Sequence, residues 1–212
     1  MQRARAFHAV TAAVATGALV LQLVLILQGG RVLDETQQPE LGVRLARFLA
    51  YFTIQSNVLV AVTTFQLARD PARDGSTWQV LRLAAISGIT VTGVVHFLLL
   101  RPLLDLDGAD FVSDKLLHMV VPALAFAGWA VFGPRPRVDW REIGLTLCWP
   151  LAWLVETLVV GALSGWYPYP FLDHREPEGT AGVVVSSLGI TLFFLLVLWL
   201  GRLVDRRARV AP

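Results

Sequence analysis

Six times along this chain a run of about 20 mostly apolar residues is closed by a short polar segment carrying glycine or proline. A helix rises about 1.5 Å per residue and the hydrocarbon core of a bilayer is about 30 Å thick, so each run is long enough to cross it. The runs fall at 7–28, 46–67, 80–100, 115–132, 144–163 and 182–203. Hydrocarbon offers no water to satisfy backbone N–H and C=O groups, which leaves helices or a closed barrel. No strand-like alternation of polar and apolar residues is present. The expected fold is therefore all-α, one polytopic bundle of six transmembrane helices over 1–212. A mean hydropathy of +0.60 with only 16% charged residues excludes an ordinary soluble domain.

The first run follows Arg3 and Arg5, exceeds a signal-peptide core in length and lacks a clean small-residue cleavage site, so it is expected to be retained. On one side of the bundle lie Arg3, Arg5, Arg69, Arg73, Arg82, Arg135, Arg137, Arg141, Arg202, Arg206, Arg207 and Arg209. The other side holds Arg31, Arg44, Arg47, Arg101, Lys115 and Arg175. Twelve of the 18 basic residues on one side put both termini in the cytoplasm. This distribution also accounts for the isoelectric point of about 9.1 without nucleic acid as a partner. The sole cysteine, Cys148, lies inside the fifth run and can form no intrachain disulfide. Small residues mark close helix contacts: Ala9, Ala13 and Gly17 on the first run, Gly161 and Gly165 on the fifth. Pro122 and Pro150 are expected to bend their helices.

Inside the second run stands Thr53-Ile54-Gln55-Ser56-Asn57, and polar groups in hydrocarbon need a reason. Spacings of three and four put Thr53, Ser56 and Asn57 on one helical face, while Gln55 points elsewhere. With both termini inside, Thr53 and His118 reach similar depths in the outer half of the bilayer, and His96 arrives at a comparable level. Asp114 precedes His118 by four residues, one turn away, where a carboxylate can fix the imidazole tautomer. A threonine hydroxyl is a poor nucleophile without a base, which His118 would supply. Backbone N–H groups within a helix are already committed, so Asn57 or Ser56 would donate to a developing oxyanion. The competing view is that Thr53 bonds to its own backbone or joins helices.

Glu156 is the only acidic residue deep in a run, and must be protonated, paired with His96 or His118, or facing water. His96, His118, Asp114 and Glu156 show no recognised metal-ligand spacing, and neither metal nor cofactor is expected. Trp166-Tyr167-Pro168-Tyr169-Pro170-Phe171-Leu172-Asp173 reads as an interfacial aromatic belt, or as a stiff cap over a cavity. The nucleophile elbow, the zinc-protease helix, the phosphate-binding glycine loop and the dinucleotide fingerprint are all absent.

Across Tyr51-Phe52-Thr53-Ile54-Gln55-Ser56-Asn57, Asp114-Lys115-Leu116-Leu117-His118 and the Tyr-Pro-Tyr-Pro segment, nearly the whole chain resembles a bacterial family of six-pass membrane proteins. That family is distantly similar to the eukaryotic androgen-induced membrane proteins, hydrolases of fatty acid esters of hydroxy fatty acids. The resemblance implies a bacterial plasma-membrane protein with Thr53 as nucleophile and His118 as its partner. The resulting expectation is an intramembrane threonine-type hydrolase of lipid or fatty acyl esters. Two alternatives stand beside it: a non-catalytic lipid or small-solute carrier using Glu156, His96 and His118, and a structural factor with no small-molecule chemistry.

Overall fold

The computed structural model describes residues 1–29, 39–134 and 138–210, the last five by backbone alone. Among them there is no strand. The helices are α1 (Gln2–Leu27), α2 (Leu41–Ala50), α3 (Phe52–Arg69), α4 (Ser76–Val95), α5 (Gly108–Lys115), α6 (Val121–Phe132), α7 (Trp140–Ser164) and α8 (Gly179–Val210). Of the charged residues in the loops, Arg31, Asp34, Glu35, Arg135 and Arg137 lie outside the described residues. The chain divides into two compact units, Met1–Pro136 and Arg137–Pro212.

Five helical stretches are each long and apolar enough to cross a membrane: Gln2–Leu27, Ser76–Leu103, Gly108–Phe132, Trp140–Ser164 and Gly179–Asp205. The second run is different. It is broken at Tyr51, where α2 and α3 meet at 67°, so the count is six only if that bent pair is one span. Arg44 and Arg47 make α2 amphipathic and unsuited to a straight continuation of α3 through hydrocarbon. Arg44 instead donates from Nη1 to the carbonyl of Ile26, in the last turn of α1, which also accepts from the Gly29 N–H.

In the first unit α1, α3, α4 and α6 surround one apolar layer of Ala15, Val60, Ala85, Ile86, Ile89, Val121 and Ala125. Alanines at the contacts let the backbones approach, which matters where lipid removes the hydrophobic drive between helices. The buried face of α1 is His8, Thr11, Ala12, Ala15 and Ala18. Ala9, Ala13 and Gly17, expected at that contact, are exposed or line no close approach. Along α3 the buried stripe Thr53, Ser56, Asn57, Val60, Thr64 and Leu67 follows the helical repeat. It carries polar groups toward both ends of the apolar layer.

The second unit contains α7, α8 and the aromatic segment between them. Pro150 sits inside α7 without ending it. Gly161 and Gly165 do not form a helix-helix contact: a side chain on Gly161 would collide with the Tyr167 ring, and Gly165 ends α7 at φ 71°. The Tyr169 ring stacks on Phe171 at 5.2 Å, and Tyr167 Oη lies 3.2 Å from His174 Nδ1. Arg175 bridges the Gly165 carbonyl and Asp173, and its guanidinium holds the Asp173 carboxyl below the usual carboxylate range.

Candidate active site

At the end of the first unit where α3 begins, three elements converge. Thr53 Oγ1 lies 3.2 Å from His118 Nε2. His118 Nδ1 lies 3.0 Å from Asp114 Oδ1 and 3.0 Å from the Asp114 backbone carbonyl. Both partners of Nδ1 are acceptors, which assigns the ring proton to Nδ1 and leaves the Nε2 lone pair facing the Thr53 hydroxyl. The expected neighbours Thr53, His118 and Asp114 are thus brought into one chain of contacts.

His96 joins them by stacking. Its ring lies 3.8 Å from that of His118, nearly parallel at 11°, and its Nε2 is 3.2 Å from Asp114 Oδ1 without the alignment of a hydrogen bond. Asp114 Oδ2 accepts from Lys115 Nζ at 2.7 Å. Thr53, His96 and Asp114 are at most 6% exposed, whereas the His118 side chain keeps 14% of its surface open. His118 is thus the most open member of the triad, and it adjoins the exposed apolar residues Met119 and Val120.

Local backbone explains how the histidines meet. His96–Leu100 and Leu116–Val120 are both π-helical turns, and each is followed two residues later by a proline, Pro102 or Pro122. A π turn inserts one residue and re-aims the side chains around it. Pro122 has no N–H to offer the His118 carbonyl four residues earlier, which favours the wider turn. Gly93 lets α4 pack against this irregular backbone, since a Cβ there would meet the His118 carbonyl oxygen at 3.2 Å and Pro122 Cβ at 3.3 Å. Ser113 Oγ donates to Gln22 Oε1 at 2.7 Å and ties the same region to α1.

Two supporting roles change. Asn57 Nδ2 donates to the carbonyls of Thr53 at 2.8 Å and Leu117 at 3.3 Å, so its amide protons join α3 to the His118 turn and are not aimed at an oxyanion. Ser56 Oγ accepts from Thr92 Oγ1 at 3.3 Å and faces α4. The premise behind their assignment changes as well. Thr53 is the second residue of α3 and not an interior one, because the chain breaks at Tyr51. The partial positive charge of a helix N-terminus is concentrated in that first turn.

His96, Asp114 and His118 place one ligand atom each within 4.8 Å of one another, a spacing open to a divalent ion. Lys115, 2.7 Å from Asp114 Oδ2, already supplies a positive charge there and opposes a second cation. Glu156 lies on another part of the chain. It belongs to the second unit, where it is exposed on α7. Lys115 and the π turns went unrecognised as site features in the sequence, although Lys115 adjoins Asp114 and Pro122 marks the fourth residue after His118.

Comparison with protein-family models, with curated proteins and with solved structures gives no match in any of the three.

Proposed function

We propose that the first unit is an intramembrane threonine-type hydrolase of lipid or fatty acyl esters. The observation that carries this reading is the Thr53–His118–Asp114 chain, with the hydroxyl 3.2 Å from an imidazole nitrogen that has no proton of its own. Thr53 Oγ bonds to the ester carbonyl carbon as His118 Nε2 takes the hydroxyl proton. The ester C–O bond then breaks and the departing alkoxide receives that proton, leaving an acyl-threonine. Water, deprotonated by the same nitrogen, attacks the acyl carbon and releases the fatty acid with Thr53 restored. Asp114 steadies the imidazolium that forms in each half.

The N-terminal turn of α3 favours the negative charge that develops on the carbonyl oxygen. Exposed apolar residues beside His118 suit a substrate whose tail stays in the bilayer and enters sideways. The asymmetry of basic residues supports both termini in the cytoplasm, which sets Thr53 in the outer-leaflet half.

The test is turnover of ester lipids and labelling by an activated fluorophosphonate, with purified wild type, Thr53→Ala and His118→Ala. Wild type is expected to turn over and label, and both variants to lose each signal by on the order of a thousandfold. Equal signals in the three proteins would remove the catalytic assignment.

A further inference from the structure

Beyond the apolar layer, at the end of the first unit away from Thr53, α4 buries a second charged side chain. Arg82 is 0% exposed, and its Nε, Nη1 and Nη2 have no hydrogen-bond partner among the described residues. The sequence counts it with the flanking cations, yet it lies inside the bundle. A guanidinium without a counter-ion is among the costliest groups to bury. No acid is available from residues 135–137 or 206–212, which contain none.

At that same end His8 of α1, 1% exposed, packs beside Gly128 of α6, and it is the ionisable group whose electrostatics register Arg82. His8 Nε2 lies 3.1 Å from the Gly133 carbonyl oxygen, an acceptor, so Nε2 carries the proton. Nδ1 of the neutral ring is then an acceptor, and it too is buried without a partner. The location holds three donor nitrogens and one acceptor nitrogen, all bare. A carboxylate or chloride would satisfy only the donors. A phosphate monoanion satisfies both kinds, with its charged oxygens accepting from the guanidinium and its P–OH donating to His8 Nδ1.

We propose that Arg82 and His8 form a binding site for a phosphate group bearing a titratable hydroxyl, either inorganic phosphate or the phosphomonoester headgroup of a lipid. Arg82 lies six residues into α4, roughly 9 Å from the helix start, a depth within reach of a headgroup or of solvent phosphate. The proposal does not depend on catalysis at Thr53.

Protein in phosphate-free neutral detergent is titrated with inorganic phosphate, following melting temperature and the fluorescence of Trp78, which is buried one turn before Arg82. A parallel arm compares nanodiscs of phosphatidylcholine with and without phosphatidic acid. A saturable response is expected in at least one arm, and the responding arm names the source. Acetate and chloride should produce none. Arg82→Gln should weaken the response at least about tenfold, and His8→Ala should weaken it and flatten its pH dependence. Thr53→Ala should respond as wild type, which separates this site from the hydrolase reading. No response in either arm, an equal response to acetate, or Arg82→Gln behaving as wild type overturns the proposal. Should Arg82→Gln fail to fold, an unchanged response in His8→Ala overturns it equally.

Discussion

The sharpest question at the scale of single residues concerns the proton on His118. Asp114 Oδ1 and the Asp114 carbonyl both sit 3.0 Å from Nδ1, so one residue sets the tautomer twice, once through its side chain and once through its backbone. In Asp114→Asn the amide can turn its NH2 toward Nδ1, which moves the ring proton to Nε2 and leaves the Thr53 hydroxyl without an acceptor. Turnover is expected to fall by about 10³–10⁴ while Thr53 and His118 stay in place. Ester hydrolysis by the purified variant, set beside its melting temperature, checks this. Activity within a few-fold of wild type would show that the backbone carbonyl alone fixes the ring. The contact of Asp114 was legible from its spacing to His118. That of Asn57 was not, because spacing reports which face a side chain shares and not which carbonyl takes its protons.

Elements explain why these residues meet at all. Straight helices drawn through the runs give depths but no aim, and here the aim comes from irregular backbone: the break at Tyr51 and the π turns at His96–Leu100 and Leu116–Val120. Proline composition hints at the turns. At Tyr51 neither proline nor glycine marks the break, since none lies between Arg44 and Asn57. There the two arginines of α2 disfavour a straight continuation of α3 through hydrocarbon. Pro122→Ala tests the π turn directly, because an alanine N–H can bond the His118 carbonyl in ordinary helical register. Losing the extra residue would rotate the preceding turn by about 100° and swing His118 off Thr53. The melting temperature is expected to hold or rise as the rate constant falls at least about tenfold. An unchanged rate would mean that the π turn is not what aims the imidazole.

For the whole molecule, the first unit stacks a hydroxyl–imidazole–carboxylate layer, an apolar layer and an arginine–histidine layer along one axis. Which face of the membrane each polar layer meets is a matter of charge bias, and that bias was readable in the sequence, as was the layer of Thr53, His118 and Asp114, where the arginine–histidine layer was not. Helical periodicity finds the buried stripe of α3 but cannot show that Arg82 points inward among apolar neighbours. If the basic asymmetry sets orientation, the turn at Asp74 faces the cytoplasm and the turn at Asp107 faces outward. Cys148 is exposed and must first become serine. In that background Asp107→Cys should react with a membrane-impermeant maleimide added to intact cells, and Asp74→Cys only after the membrane is permeabilised. The reverse pattern would put Thr53 in the inner leaflet half, and its substrate would then have to come from cytoplasmic lipid.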